Sequence, residues 1–231
     1  MRREDRIFSE GSLTDLRNRL AIRYAVEADL RFISHHDSLR LFERALVRAG
    51  LPLRYSEGFN PRPRLSIALP RPVGVASSDE LLVIEVTEPL EMSVVMEQLS
   101  PQMPPGLALL SAEPLADSDR RLPCEASYSL PVEPAVQATV ARRISEILAA
   151  DQLPVDRILH SGADKSGVAA SKSIDIRPYI LSIELTDGCV RWRQLVTGTG
   201  TVRVTELLDV LGIPGRENLH RVRREQVCYQ A

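Results

Sequence analysis

From Arg19 to Val26 the chain alternates: Leu20, Ile22, Tyr24 and Val26 take turns with Arg19, Ala21, Arg23 and Ala25, the period of a strand with one buried face. The period then changes. Ser34 stands three residues before Asp37 at the head of the apolar series Leu39, Phe42, Leu46 and Ala49, and Gly50 with Pro52 closes it, which predicts a capped helix over 35–49. Pro61 and Pro63 confine their surroundings to a loop or a strand edge, after which Leu65, Ile67 and Leu69 alternate again. A third strand is expected over 80–86, a short helix over 90–100 ending at Pro101, and a fourth strand over 106–114. The order βαββαβ is the ferredoxin-like motif, in which two helices cover one face of an antiparallel sheet and leave the other open.

After the polar stretch 115–123 the pattern recurs. It gives a strand at 124–131 and a helix at 134–149, with Pro134 in its first turn and Val136, Val140, Ile144 and Ile147 on one side. Strands near 153–159, 179–186 and 189–196, a helix over 203–211 and a strand near 222–229 follow. The expected fold is α+β, two tandem ferredoxin-like domains with antiparallel sheets: a flexible leader over 1–16, one domain over 17–116 and a second over 117–231. The polar segment His160–Ser173 is expected to be a mobile loop.

Composition adds limits. A chain of 231 residues with 44% hydrophobic and 26% charged positions can build two cores and is not wholly disordered. A net charge of −2 makes it no polycation, so contact with nucleic acid would need a local patch, and an aromatic share of 4% argues against a stacking-rich surface. No apolar run approaches the ~18 residues of a membrane span and the first residues lack the apolar core of a signal peptide. A cytoplasmic protein away from membranes is expected. Cys124, Cys189 and Cys228 are scattered, without the spacing that holds zinc or an iron–sulfur cluster, so no metal site is expected.

Charge is unevenly placed. Residues 31–72 hold eight arginines, no lysine and three acids (Asp37, Glu43 and Glu57), a local net charge of +5. Arg40, Arg44 and Arg48 recur every four residues and form a stripe on the helix. Arginine, with its planar fork of donors, suits bidentate pairing with phosphates or carboxylates, although a charged helix face is commonly only solvated. Arg19 and Arg23 with Arg62, Arg64 and Ser66 are expected on one sheet face, away from the helices, as an anion-binding surface. Stacking of bases on that sheet is not expected, because its strand positions hold alanine and serine. Within "YSEGFNPRPR" (55–64), Gly58 and Asn60 permit a tight backbone, and Pro61 and Pro63 stiffen it, so that Arg62 and Arg64 are presented together.

His35 and His36 fall in the first turn of the arginine-bearing helix, followed by Asp37. His35 is a candidate general acid or base oriented by a carboxylate, against the plainer role of capping or packing. "TGTGT" (197–201) ahead of a helix offers backbone N–H groups to a phosphate, or forms a simple turn.

The block from Leu30 to Val86 resembles the radical SAM-linked family, a domain appended to or encoded beside radical SAM proteins. The resemblance rests on "RFISHHD" (Arg31–Asp37), the run from Glu43 to Ser66 containing "LPLRYSEGFNPRP", and the run from Pro70 to Glu80; "IDIRPYI" (Ile174–Ile180) matches more loosely. It implies a radical SAM protein as partner, with the iron–sulfur cluster and S-adenosylmethionine on that partner and no cofactor on this chain. It also points to RNA, tRNA in particular, as a substrate of the joint system. The candidate ligand-binding set is Arg31, His35, Asp37, Arg40, Arg44, Arg48, Tyr55, Ser56, Gly58, Phe59, Asn60, Arg62 and Arg64. The leading expectation is a noncatalytic recognition protein; the alternatives are a metal-independent endoribonuclease similar to CRISPR repeat-processing nucleases, with His35 as acid or base, and a protein-interaction module.

Overall fold

A computed structural model describes residues 18–116, 118–163 and 169–230, so the expected leader over 1–16 lies outside the described residues. The fold is mixed α+β. Strand β1 (Asn18–Val26) leads through a short 3-10 turn to α1 (His35–Arg48), then come β2 (Leu65–Ile67), β3 (Ala76–Val86), α2 (Met92–Leu99) and β4 (Leu107–Leu115). The second half runs β5 (Leu122–Pro131), α3 (Pro134–Ala149), β6 (Pro154–Ala163), β7 (Ala169–Asp175), β8 (Ile180–Thr186), β9 (Cys189–Thr197), β10 (Gly200–Thr201), α4 (Val204–Val210), α5 (Gly215–Asn218) and β11 (Arg223–Gln230).

Nine strands form one sheet in the order β10-β9-β5-β11-β3-β1-β4, with β2 also on β3 and β8 also on β9. The alternation in β1 does what its period demands. Leu20, Ile22, Tyr24 and Val26 pack with Phe42 and Leu46 of α1 and Val95 and Leu99 of α2, while Ala21 turns to the other face with Leu81, Val83 and Leu115. In the second half Val140, Ile144 and Ile147 of α3 and Leu207 and Leu208 of α4 cover β5 and β9, where Tyr128 and Trp192 stack with ring centroids 5.1 Å apart. Gly106 closes the turn before β4 at φ +90°; a Cβ there would stand 2.8 Å from the Glu27 carbonyl oxygen, so only glycine lets the two segments meet.

Two expectations change. The first is the separate antiparallel sheets: β3 starts at Ala76 rather than at residue 80, and the added residues pair in parallel with β11, Arg223 opposite Ala76 and Arg224 opposite Ser77. That short parallel ladder fuses both halves into one mixed sheet. The second is the loop over 160–173: residues 160–163 and 169–173 are strand, and 164–168 lie outside the described residues. β6 and β7 pair antiparallel as a hairpin of their own, Pro154 opposite Asp175 and Arg157 opposite Lys172. Arg157 anchors it by donating to both carboxylate oxygens of Glu206, at 2.6 and 2.7 Å, and to the Thr201 carbonyl at 2.6 Å. The first part of β6 is expected as a strand at 153–159, and Val155 with Ile174 packs against the second-half core; the polar remainder of β6, and β7 with it, read as loop because each finds its partner in the other.

The fusion point contains a fully buried ion pair. Arg224 and Glu80 are each about 1% exposed in their side chains; Nη1 of Arg224 lies 3.0 Å from both carboxylate oxygens and Nη2 donates to the Pro70 carbonyl at 3.0 Å. Burial pushes the Glu80 carboxyl above its ordinary value, against the pull of Arg224 and Arg71. Burial also opposes the charge on Arg224, but Glu80 and Tyr128 outweigh it and its pKa stands above the ordinary value.

Candidate anion-binding site

The site begins at the cap of α1. The Ser34 side chain accepts from the Asp37 backbone N–H at 3.1 Å and donates to the Asp37 carboxylate at 2.7 Å, which starts the helix at His35 and fixes the rotation of all that follows. Phe42, Ala45 and Leu46 then face the core, and Arg40, Arg44 and Arg48 fall together on the outer face.

These three arginines and Asp37 line a groove of about 560 Å³, closed on the far side by Gln102, Met103 and Pro104 and floored by Leu30 and Leu41. Arg48 is tied to the opposite wall: Nε donates to the Gln102 side-chain oxygen at 3.2 Å and Nη2 to its carbonyl at 2.9 Å. Arg40 lies 3.5 Å from Asp37, an exposed pair of small energetic worth. Between them Arg44 is exposed and, among the described residues, its side chain has no hydrogen bond or ion pair. The groove thus holds a free guanidinium flanked by two partly engaged ones. Guanidinium groups so placed are able to donate charge-assisted hydrogen bonds to a phosphate or a carboxylate.

The other sequence candidates are elsewhere. Arg31 turns toward the second half, donating to the carbonyls of Ala28 at 3.0 Å and His220 at 2.6 Å, with its guanidinium 5.5 Å from the Phe32 ring centre. Arg71 donates to the carbonyls of Arg31, Leu30 and Val75 and is spent on holding the chain together. Arg54 and Arg64 both approach Glu85, at 3.9 and 3.6 Å. Tyr55, Ser56, Gly58, Phe59, Asn60 and Arg62 form a hairpin that leaves the body of the protein between Arg54 and Arg64.

His35 is half-buried and does not line the groove. Burial first, and the neighbouring charge of His36 second, lower its pKa. The carboxylate expected to orient it is engaged otherwise: Asp37 binds Ser34 and Arg40, and its pKa is lowered chiefly by the Ser34 hydrogen bond. No group of three His, Cys, Asp or Glu side chains among the described residues could hold a metal ion.

On the open sheet face Arg19, Arg64 and Ser66 do meet, around a hollow of about 340 Å³ with Glu85 inside it. Yet each arginine of that face has a partner: Arg19 the Asp119 carbonyl at 2.7 Å, Arg64 the carboxylate of Glu85, and Arg23 the carboxylate of Asp79, with its guanidinium 5.7 Å from the Tyr229 ring centre. Arg23 and Arg64 are thus paired with carboxylates and Arg19 with a carbonyl, while Arg62, expected on the same face, stands apart on the 55–64 hairpin. "TGTGT" is the β9–β10 turn; its Thr197 hydroxyl accepts from the Gly200 N–H at 3.1 Å and donates to the Gly200 carbonyl at 2.8 Å. Gln102 was invisible to sequence reasoning. It reaches Arg48 across 54 residues, and no local spacing announces such a partner.

A family conserved in bacteria and described as uncharacterised, DUF2344, matches residues 19–206, from β1 into α4. The chain belongs to that family. The match takes in the groove and the hairpin together, so both lie within the family's span. No curated protein matches the chain. Among the described residues no helix is long and apolar enough to cross a membrane.

Proposed function

We propose that this chain is a noncatalytic recognition protein that holds an anionic substrate, RNA and within it tRNA, for a radical SAM enzyme. The observation that carries the reading is the unpaired Arg44 set between Arg40 and Arg48 in the groove of about 560 Å³. Such a site takes a phosphate as readily as any anion, and RNA supplies phosphates in series. The radical SAM partner rests on the resemblance of Leu30–Val86; that partner would bring the iron–sulfur cluster and S-adenosylmethionine. The architecture is read with it as two ferredoxin-like units. In favour are the strand order β2-β3-β1-β4 with helices α1 and α2 in the first half, and β8-β9-β5-β11 with α3 and α4 in the second, where the β6–β7 hairpin is an insertion.

The test measures affinity for tRNA across a salt series. Expected is a linear fall of log K with log salt, and a slope reduced by about 0.7–0.9 for each phosphate that Arg44→Ala no longer neutralises. An unchanged slope and affinity in the triple replacement of Arg40, Arg44 and Arg48 by alanine would remove the groove from the interface. The partner is tested separately by co-purification from the native cell with and without nuclease; capture of a protein only, resistant to nuclease, would favour a protein-interaction module.

A further inference from the structure

We infer that the tip of the 55–64 hairpin is a base-stacking element for single-stranded RNA, a second contact on the same strand that the α1 groove holds; the inference rests on the RNA reading above. The arms of the hairpin are tied at two levels. Below them Leu53 bridges Val86 of β3; between the arms Tyr55 bridges Pro63, Arg64 N–H donates to the Arg54 carbonyl at 2.8 Å, and Ser56 N–H donates to the Arg62 carbonyl at 2.8 Å. The Ser56 hydroxyl in turn accepts from the Arg62 N–H at 3.0 Å, so that only residues 57–61 remain as the tip. Gly58 turns there at φ +116° and Pro61 stiffens the return.

At that tip Phe59 is fully exposed, and Tyr55 at its base is 44% exposed, whereas Phe42 is wholly buried in the core. A ring fixed on a rigid arm in full contact with water gives nothing to folding, so its use is intermolecular. The surroundings decide what it meets. Glu57, Asn60 and Arg62 flank it, the other exposed ring of the hairpin is Tyr55 at its base, and a single aromatic buries only about 150–250 Å². A stable protein interface takes about 800 Å² from each partner, well beyond that. A nucleobase asks for less: one ring face, and a cation for the adjoining phosphate. Arg62 is exposed three residues from Phe59, and among the described residues its side chain has no hydrogen bond or ion pair. The bracing of the arms removes most of the ordering cost of presenting both groups. On the open sheet face Tyr229 is partly buried with the Arg23 guanidinium over its ring, whereas the hairpin ring is fully exposed.

Phe59→Trp turns the tip into a reporter, since the native Trp192 is buried against Tyr128 and insulated from solvent. The full-length variant is titrated with single-stranded oligouridylate of about 12 nucleotides, and with an abasic oligonucleotide of equal length. Expected is quenching of the tip fluorescence that tracks binding of the oligouridylate and is absent with the abasic strand. Phe59→Ala should weaken oligouridylate binding about 5- to 150-fold, the span seen for loss of one stacked base, with the salt slope unchanged. RNA bound normally by Phe59→Ala, or bound by Phe59→Trp without quenching, would overturn the tip inference and leave the groove standing. Absence of any salt-sensitive RNA binding by the unaltered protein would overturn both. Loss of a radical SAM partner in Phe59→Ala with RNA binding intact would assign the tip to protein docking and likewise overturn it.

Discussion

Replacing Arg224 by methionine tests what joins the halves. The methionine keeps much of the apolar stem but removes the guanidinium, leaving Glu80 buried without the cation 3.0 Å away and the Leu69 and Pro70 carbonyls without donors. Breaking a buried pair from one side costs about 3–5 kcal/mol, because the remaining charge stays in a medium that does not solvate it. In a chain of this size about 2–4 °C of Tm corresponds to each kcal/mol, so thermal unfolding should move down by roughly 6–20 °C. The paired replacement Arg224→Met with Glu80→Leu removes both charges and should recover most of that loss, as buried pairs exchanged for apolar residues often do.

The pH dependence supplies an independent check. Glu80 already has a folded-state pKa above its unfolded value, through burial. The folded state therefore keeps a proton that the unfolded chain has released, and stability falls as pH rises from the unfolded value through the folded one. Without Arg224 the folded pKa climbs further, so the deficit of Arg224→Met should narrow as pH is lowered from about 7 to about 5. Circular dichroism melts of the three proteins across that range decide it. An Arg224→Met protein that melts with the wild type, or a double variant no better than the single one, would refute the reasoning.

Gly106→Ala should destabilise by about 2–3 kcal/mol, because φ +90° is strained for alanine and the new Cβ would lie 2.8 Å from the Glu27 carbonyl; Gly58→Ala, at φ +116° with open space around it, should cost about 1–2 kcal/mol in backbone strain alone. Urea denaturation of both variants ranks them, and the reverse order would contradict the close-approach argument. For His35, NMR titration should give a pKa below the ordinary histidine value, moving up in His36→Ala as the neighbouring charge is removed. Its folded pKa being depressed, it should draw stability down as pH falls below the unfolded value, and an unmoved His35 in that variant would sever the two rings.

Elements whose period arises from a shared core were legible in the chain. β1, α1 and α3 announced themselves because Leu20 and Ile22, Phe42 and Leu46, and Val140 and Ile144 must all reach an apolar interior. The start of β3 was not legible, since Ala76, Ser77, Ser78 and Asp79 are small or polar; their strand is set by pairing with Val26 of β1 on one side and with β11, nearly 150 residues away in sequence, on the other. β7 and the far end of β6, beyond the strand expected at 153–159, escaped for a related reason, as they pair with one another. Propensity cannot see a partner, and tertiary pairing overrides it.

The arginine cluster shows the same limit in electrostatic form. A net +5 over residues 31–72 counts formal charges, but a ligand meets only those that folding has not already engaged. Arg31 and Arg71 go to backbone carbonyls, Arg54 and Arg64 share Glu85, and Arg48 is held by Gln102. What remains is Arg44 in its groove, with Arg40 beside it in a weak exposed pair, and Arg62 on its hairpin. The formal charge counts all eight arginines alike, and the candidate set took six of them, Arg54 and Arg71 excepted. Folding separates the ones that fasten the chain to itself from the ones that can be offered outward, and the latter occupy two places whose contributions the salt slope and the stacking signal report separately.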